Sequence, residues 1–81
     1  MTITVYTKPD CGQCEQTKKQ LERKGLSYNV VDVFEDEDAR KFVEATGNLN
    51  MPMVVVREGD KIVRQWHGFR YDEIKTLSKD S

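Results

Sequence analysis

This sequence has almost no excess of charge of one sign, no long apolar run, and few cysteine and histidine residues. Its 13 lysine and arginine residues almost balance its 14 aspartate and glutamate residues, so the formal net charge is −1. Nucleic acids and acidic membrane surfaces are bound by strongly basic faces. We therefore expect no nucleic acid and no membrane among the partners.

No apolar run is long enough to cross a bilayer, and no basic segment leads into an apolar stretch as in a signal peptide. We therefore expect a cytoplasmic location, where thiols are kept reduced. Close cysteine pairs in that compartment more often serve catalysis or metal binding than structure. A length of 81 residues favours a single domain over residues 1–81 with one modest core, and we expect a monomer.

The only cysteines are Cys11 and Cys14, and the only histidine is His67. A structural zinc site is almost always built from four ligands, which these residues do not supply in one chain. We therefore expect no metal and no cofactor. A purely structural disulfide here would close a very short loop and stabilise the fold little. An iron–sulfur cluster or a zinc ion held between two copies of the chain remains an alternative.

Apolar periodicity and helix-forming segments predict four strands and three helices. The strands cover residues 3–6, 28–33, 53–56 and 61–65; the helices cover residues 13–24, a segment from Asp36 or Asp38 to Gly47, and a short segment from Tyr71 or Asp72 that carries Ile74 and Leu77. The order β-α-β-α-β-β-α makes the first two strands parallel and the last two a hairpin. It predicts an α/β protein with the thioredoxin-like fold, a four-stranded mixed sheet with three helices on its two faces.

The two cysteines stand where the first strand passes into the first helix, which is typical of a dithiol redox site. Cys11 would lie at the helix N-terminus, where free N–H groups and the helix dipole favour a thiolate. Cys14, one turn further in, could reach the same sulfur. We therefore predict that Cys11 is the nucleophile and Cys14 the resolving thiol of thiol–disulfide exchange.

Several neighbours should shape this site. Lys8 adds a positive charge near Cys11 and Asp10 opposes it, whereas Gly12 and Gln13 carry no charge.

The segment Met51-Pro52 precedes the third strand, and from the residues alone its peptide bond is expected to be trans. We expect target proteins to meet an uncharged surface that combines the thiol rim, Met51-Pro52 and a partly exposed Trp66 or Phe69. The alternative for these two aromatic residues is that they fill the core.

Three segments resemble the NrdH-type redoxins, small glutaredoxin-like proteins that reduce class Ib ribonucleotide reductase. "TVYTKPDCGQC" resembles their first strand and active-site loop, "MPMVVV" their strand led by a cis proline, and "WHGFRYDE" their Trp-x-Gly-Phe-Arg signature. The resemblance implies that Pro52 is cis and faces the thiols. It implies two partners, the large subunit of class Ib ribonucleotide reductase and thioredoxin reductase.

The residue pattern and the resemblance together nominate the site residues. They are Cys11 and Cys14 as the catalytic pair, and Lys8, Gly12, Gln13, Met51, Pro52, Trp66, Gly68, Phe69 and Arg70 as site-shaping or partner-binding residues.

A glutathione-dependent glutaredoxin is the nearest alternative. The resemblance argues against it, because Gly12-Gln13 replaces the Pro-Tyr of ordinary glutaredoxins and residues 68–72 replace their glutathione-binding Gly-Gly-x-Asp-Asp segment. Asp72 could still offer a carboxylate to a ligand. The chain also departs from the NrdH pattern, with His67 in place of the usual serine, Tyr71 in place of proline, and Gly12 in place of a larger apolar residue.

Overall fold

The computed structural model describes residues 1–78, and the predicted order of strands and helices is confirmed. The elements are β1 (Thr2–Thr7), α1 (Gly12–Arg23), β2 (Asn29–Asp32), α2 (Glu37–Glu44), β3 (Met53–Glu58), β4 (Lys61–His67) and α3 (Tyr71–Ile74). The strands form one sheet in the order β2-β1-β3-β4. β1 is parallel to β2, whereas β1–β3 and β3–β4 are antiparallel. This is the thioredoxin-like fold.

The central strands β1 and β3 are buried on both faces of the sheet. Their side chains point alternately to the two faces and pack into two separate cores. Ile3 and Val5 of β1 join the core that holds Leu21 of α1 and Ile74 of α3. Tyr6, at the next position of β1, points to the opposite core. Because successive strand residues point to opposite faces, α1 and α3 cover one face of the sheet and α2 covers the other.

The residues that make up this second core are mostly aliphatic, and it also receives a cysteine from the head of α1. They are Tyr6, Cys14, Val33, Ala39, Val43, Met51, Met53 and Val55. The sheet face under α2 is therefore continuous with the region around the thiols.

The helix ends follow their capping residues. Asp36, one of the two predicted starts of the second helix, is the N-cap, and its Oδ1 accepts the N–H of Ala39 at 3.0 Å. α2 ends at Glu44, three residues earlier than predicted, and Gly47 follows with φ +77°. Within residues 1–78, no helix has the length and apolar character needed to cross a membrane.

Candidate redox-active site

The loop from Lys8 to Cys11 connects the end of β1 to the start of α1. Asp10 adopts a left-handed conformation (φ +57°), which aspartate tolerates better than most residues. Cys11 is extended and acts as the helix N-cap, and its Sγ accepts the N–H of Cys14 at 3.1 Å. A backbone donor in the first turn therefore points at this sulfur, which favours negative charge on it.

Cys11 and Cys14 are joined by a disulfide, with their Cα atoms 5.2 Å apart. Cys14 is fully buried in the core beneath α2, whereas Cys11 is half-buried. The prediction that Cys11 is the more exposed of the two is confirmed. An incoming sulfur atom can therefore reach Cys11 but not Cys14.

Cys11 opens into a cleft of about 420 Å³ that most of the predicted site residues share. Its lining residues are Lys8, Cys11, Gly12, Gln13, Leu49, Asn50, Met51 and Gly68. Leu49 and Asn50 were not predicted from the sequence. An isolated leucine in the polar segment "GNLN" is the signal that could have pointed to this side of the cleft.

The peptide bond between Met51 and Pro52 is cis. The expectation from the residues alone was wrong here, and the isomer implied by the family resemblance is confirmed. Both residues are buried, but it is Met51 that lines the cleft beside Cys11. The carbonyl oxygen of Pro52 accepts the N–H of Gly68 at 2.8 Å, which ties this segment to the end of β4.

Gln13 connects the active-site helix to the segment after β4. Its Oε1 accepts the N–H of Phe69 at 2.9 Å, across 56 positions of sequence. Gly68 has φ +80°, and a Cβ added to it would lie 3.2 Å from the same oxygen. A side chain at position 68 would therefore be strained by its backbone and crowded by Gln13.

Trp66 does not form part of the exposed surface that the sequence analysis expected. It is only 5 % exposed and belongs to the core that holds Ile3 and Leu21. The cause is that β4 runs to His67, two residues further than predicted, and Trp66 pairs with the buried Val54. Phe69 is half-buried and packs against the same core, and neither aromatic residue lines the cleft.

Arg70 is occupied by a neighbouring carboxylate. Its Nε and its Nη2 donate to the two oxygens of Asp72 at 3.0 and 2.8 Å. Both side chains are exposed, and the hydrogen bonds from Arg70 lower the pKa of Asp72 below its ordinary value. The Asp72 carboxylate, which the sequence left open as a contact for a ligand, is therefore already paired with Arg70.

A second, more apolar groove of about 240 Å³ continues from the cleft and was not predicted from the sequence. It is lined by Lys8, Val33, Phe34, Arg40, Val43, Glu44, Leu49 and Met51. Phe34 is 65 % exposed and Leu49 is 63 % exposed. A lone phenylalanine within the acidic segment "DVFEDED" was the available signal.

Among residues 1–78, no group of three or more histidine, cysteine, aspartate or glutamate side chains is arranged to hold a metal ion.

Comparison with known proteins gives a consistent result. The glutaredoxin family model matches residues 3–62. The chain is 36% identical over 77 residues to the glutaredoxin-like protein NrdH of Escherichia coli K12 and 38% identical over 77 residues to that of Salmonella typhimurium, matches that each cover 95% of this chain and 89% of the relative. The solved structure of the Escherichia coli NrdH-redoxin superposes with a TM-score of 0.84 at 36% identity, covering 95% of each chain.

Proposed function

The chain belongs to the glutaredoxin family, in the group of glutaredoxin-like NrdH proteins, and we propose that it carries electrons from thioredoxin reductase to class Ib ribonucleotide reductase. The observation that carries this proposal is the inequality of the two sulfurs. Cys11 is half-buried at a helix N-terminus, and its disulfide partner Cys14 is fully buried. Such a pair suits exchange with another protein's disulfide in two ordered steps.

The first step is attack on the target. The Cys11 thiolate of the reduced protein attacks one sulfur of the target disulfide, whose S–S bond breaks. Cys11 is left in a mixed disulfide, and the other target sulfur leaves as a thiolate that takes up a proton.

The second step releases the target. The Cys14 thiol loses its proton and attacks Cys11 Sγ, the mixed disulfide breaks, and the second target thiol departs. Two electrons have then passed from the cysteine pair to the target, and the Cys11–Cys14 disulfide has formed. Of the two protons on the target thiols, one comes from Cys14 and one from water, because Cys11 started as a thiolate. The N–H of Cys14, which contacts Cys11 Sγ in the oxidised protein, supports the thiolate of Cys11 when the pair is reduced.

Regeneration requires two electrons from outside the protein, and we propose that thioredoxin reductase delivers them from NADPH. The related Escherichia coli NrdH-redoxin has a thioredoxin-like activity profile. Two contacts in this chain also support thioredoxin reductase over glutathione as the electron donor. The N–H of Phe69 is engaged by Gln13, and both oxygens of Asp72 are engaged by Arg70. These groups lie in the segment where ordinary glutaredoxins bind glutathione, and here each has a partner within the chain.

We further propose that target proteins meet the rim of the cleft. Lys8, Gly12 and Met51 surround Cys11, and the groove beside Phe34 and Leu49 extends the apolar part of this surface. The rim combines one cation with the amides of Gln13 and Asn50 and the apolar side chains of Leu49 and Met51. Such a mixture of hydrogen-bonding and apolar groups suits a polypeptide segment better than a small charged thiol.

The deciding experiment compares two reductants. NADPH-coupled reduction of a protein disulfide is measured once with thioredoxin reductase and once with glutathione and glutathione reductase. We expect turnover at least about tenfold faster with thioredoxin reductase. The Phe69 N–H and the Asp72 carboxylate are already paired within the chain, and the loss of two such contacts to glutathione would weaken its binding by roughly a hundredfold. The Cys11→Ser variant is the control and should be inactive in both assays.

Rapid glutathione-coupled turnover, with saturable glutathione binding by calorimetry, would make the protein an ordinary glutaredoxin instead. Visible absorbance of the protein as purified separates the other alternative, an iron–sulfur cluster held between two copies, from both carriers.

A further inference from the structure

His67 lies at the end of β4, beside the loop that leads into β3, and the proposed electron transfer assigns it no role. Its backbone pairs with Met53. Its ring contacts that loop at two points: Nδ1 is 3.2 Å from the carbonyl oxygen of Asn50, and Nε2 is 3.5 Å from Oγ1 of Thr46.

The two contacts differ in what they can do. A carbonyl oxygen only accepts, so the contact with Asn50 places a proton on Nδ1. The single hydroxyl proton of Thr46 has two carbonyl acceptors nearer than the ring, Val43 at 2.6 Å and Asn48 at 3.2 Å, so Thr46 offers His67 only a lone pair. The distance of 3.5 Å is also at the long limit for a hydrogen bond. The donation from Nδ1 to Asn50 is therefore the contact that can hold the loop.

This contact lies next to a residue of the cleft. Asn50 precedes Met51, which lines the cleft with Cys11, and the following Pro52 is held through its carbonyl oxygen by the N–H of Gly68. His67 and Gly68 are adjacent in sequence, and they form hydrogen bonds with the carbonyl oxygens of Asn50 and Pro52, the residues on either side of Met51.

The loop's own hydrogen bonds maintain its shape without fixing its position. The N–H of Asn50 donates to Oδ1 of Asn48 at 3.0 Å, and the N–H of Asn48 donates to Oγ1 of Thr46 at 3.3 Å. Both bonds join residues of the same short loop. Attachment of the loop to the sheet at Asn50 comes from His67.

We propose that His67 is a positioning residue for disulfide exchange, which fixes the edge of the cleft at Met51 by donating from Nδ1 to the Asn50 carbonyl. The inference rests on the proposed function, because a fixed edge serves alignment of a polypeptide disulfide over Cys11. A misplacement of about 1 Å can slow a reaction on the order of a hundredfold. One neutral hydrogen bond controls less than that, about two- to tenfold.

Three variants separate the two contacts of the ring. His67→Ala removes both. His67→Asn keeps an amide nitrogen near the position of Nδ1, and His67→Gln keeps one near the position of Nε2. Thermal unfolding of each variant shows first that it remains folded.

Two measurements are then made on every variant. NMR order parameters of the Asn50 and Met51 amides report the mobility of the loop without any partner. Values of kcat and KM for reduction of insulin are compared with the rate for dithiobis(nitrobenzoic acid), a small disulfide that needs no aligned edge.

We expect His67→Ala and His67→Gln to lower the order parameters and to raise KM for insulin about two- to tenfold, with kcat retained. His67→Asn should restore both, and the rate with the small disulfide should stay within about twofold of wild type throughout. Unchanged order parameters and KM in His67→Ala, or rescue by glutamine instead of asparagine, would overturn the proposal. If the wild-type protein does not reduce insulin at all, the proposed function fails, and the order parameters still decide whether His67 fixes the loop.

Discussion

At the scale of single residues, two chemically identical side chains have been made unequal by their surroundings. Cys11 caps α1 and is half-buried, whereas Cys14 is fully buried one turn later. The helix N-terminus favours a thiolate at Cys11, and burial disfavours one at Cys14. The sequence spacing was enough to predict this order, since it depends only on where a helix begins.

The first prediction concerns the reactivity of the reduced protein. Iodoacetamide at neutral pH should alkylate Cys11 at least about tenfold faster than Cys14, because Cys11 combines access with thiolate character. Peptide mapping by mass spectrometry measures the two rates. Preferential labelling of Cys14 would reverse the assigned roles.

The second prediction concerns the order of the exchange steps. Cys14→Ser should trap a mixed disulfide between Cys11 and the target, because no thiol remains to resolve it. Cys11→Ser should form no adduct. Non-reducing electrophoresis detects the trapped species, and normal turnover by Cys14→Ser would require a one-thiol mechanism.

The third prediction concerns Gly68, where a positive φ and a close neighbour coincide. Gly68→Ala should lower the free energy of unfolding by about 1–2 kcal/mol from backbone strain alone, plus a further cost from the 3.2 Å approach to Gln13. Gly59→Ala is the matched control, because Gly59 also has a positive φ (+61°) but has open space around its Cβ position. Denaturant unfolding measures both. Equal losses would show that Gln13 moves aside freely.

At the scale of helices and strands, a phenol hydrogen bond links α1 to the start of β2. Tyr28 is half-buried against the core, and its hydroxyl donates to Oε1 of Glu22 at 2.7 Å. Burial, and then the hydrogen bond and charge of Glu22, raise the pKa of Tyr28 to about 12. A raised pKa means that the fold favours the neutral phenol over the phenolate.

The fourth prediction follows from the sign of this shift. The ordinary pKa of tyrosine is 10.0, so the contribution of Tyr28 to stability is complete below pH 10 and is lost as the pH rises through about 12. The difference in unfolding free energy between wild type and Tyr28→Phe should therefore shrink across this window. Unfolding of both proteins by guanidinium chloride at several alkaline pH values measures this difference in free energy.

Glu22→Gln provides the control for the cause, because it keeps an acceptor and removes the charge. The phenol should then ionise at a lower pH than in the wild type, as followed by ultraviolet difference absorbance. A phenol that ionises at the same pH in both proteins would show that the Glu22 charge does not contribute.

Strand register and peptide isomer, which the residues alone do not determine, also belong to this scale. Alternation and capping residues predicted every element, because these signals are local. The pairing of Trp66 with Val54 and the cis bond at Pro52 were not accessible from the residues alone, since strand register and peptide isomer depend on contacts across the fold. The error at Trp66 arose in this way: a strand two residues longer than predicted turned an expected surface residue into a core residue.

The dependence on contacts across the fold also explains which lining residues of the cleft and the groove were predicted and which were not. The thiol end of the cleft was predicted because its residues are adjacent in sequence. The facing side, with Leu49 and Asn50, comes from a loop nearly forty positions away that carries no motif, and Phe34 lies in a segment that reads as an acidic surface. Only the packing of β1 between β2 and β3 brings these segments together.

At the scale of the whole molecule, charge is nearly balanced while apolar side chains cluster near the reactive sulfur. The formal net charge is −1, from 13 basic and 14 acidic residues. Phe34 and Leu49, each more than half exposed, line the groove that continues from the Cys11 cleft. Short-range apolar contact, rather than a long-range field, is therefore what this molecule offers an approaching partner.

The fifth prediction tests this balance through ionic strength. Salt screens interactions beyond about 10 Å at 0.1 M, and electrostatic steering accelerates association only where large complementary fields exist. The second-order rate constant for reduction of a protein disulfide should therefore change by less than about threefold between 50 and 500 mM sodium chloride. Stopped-flow tryptophan fluorescence under pseudo-first-order conditions measures it. A steep fall of this rate constant with salt would instead show that cations beside the groove attract the target. The variants Lys8→Gln and Arg40→Gln would then show which of these two lining cations is responsible.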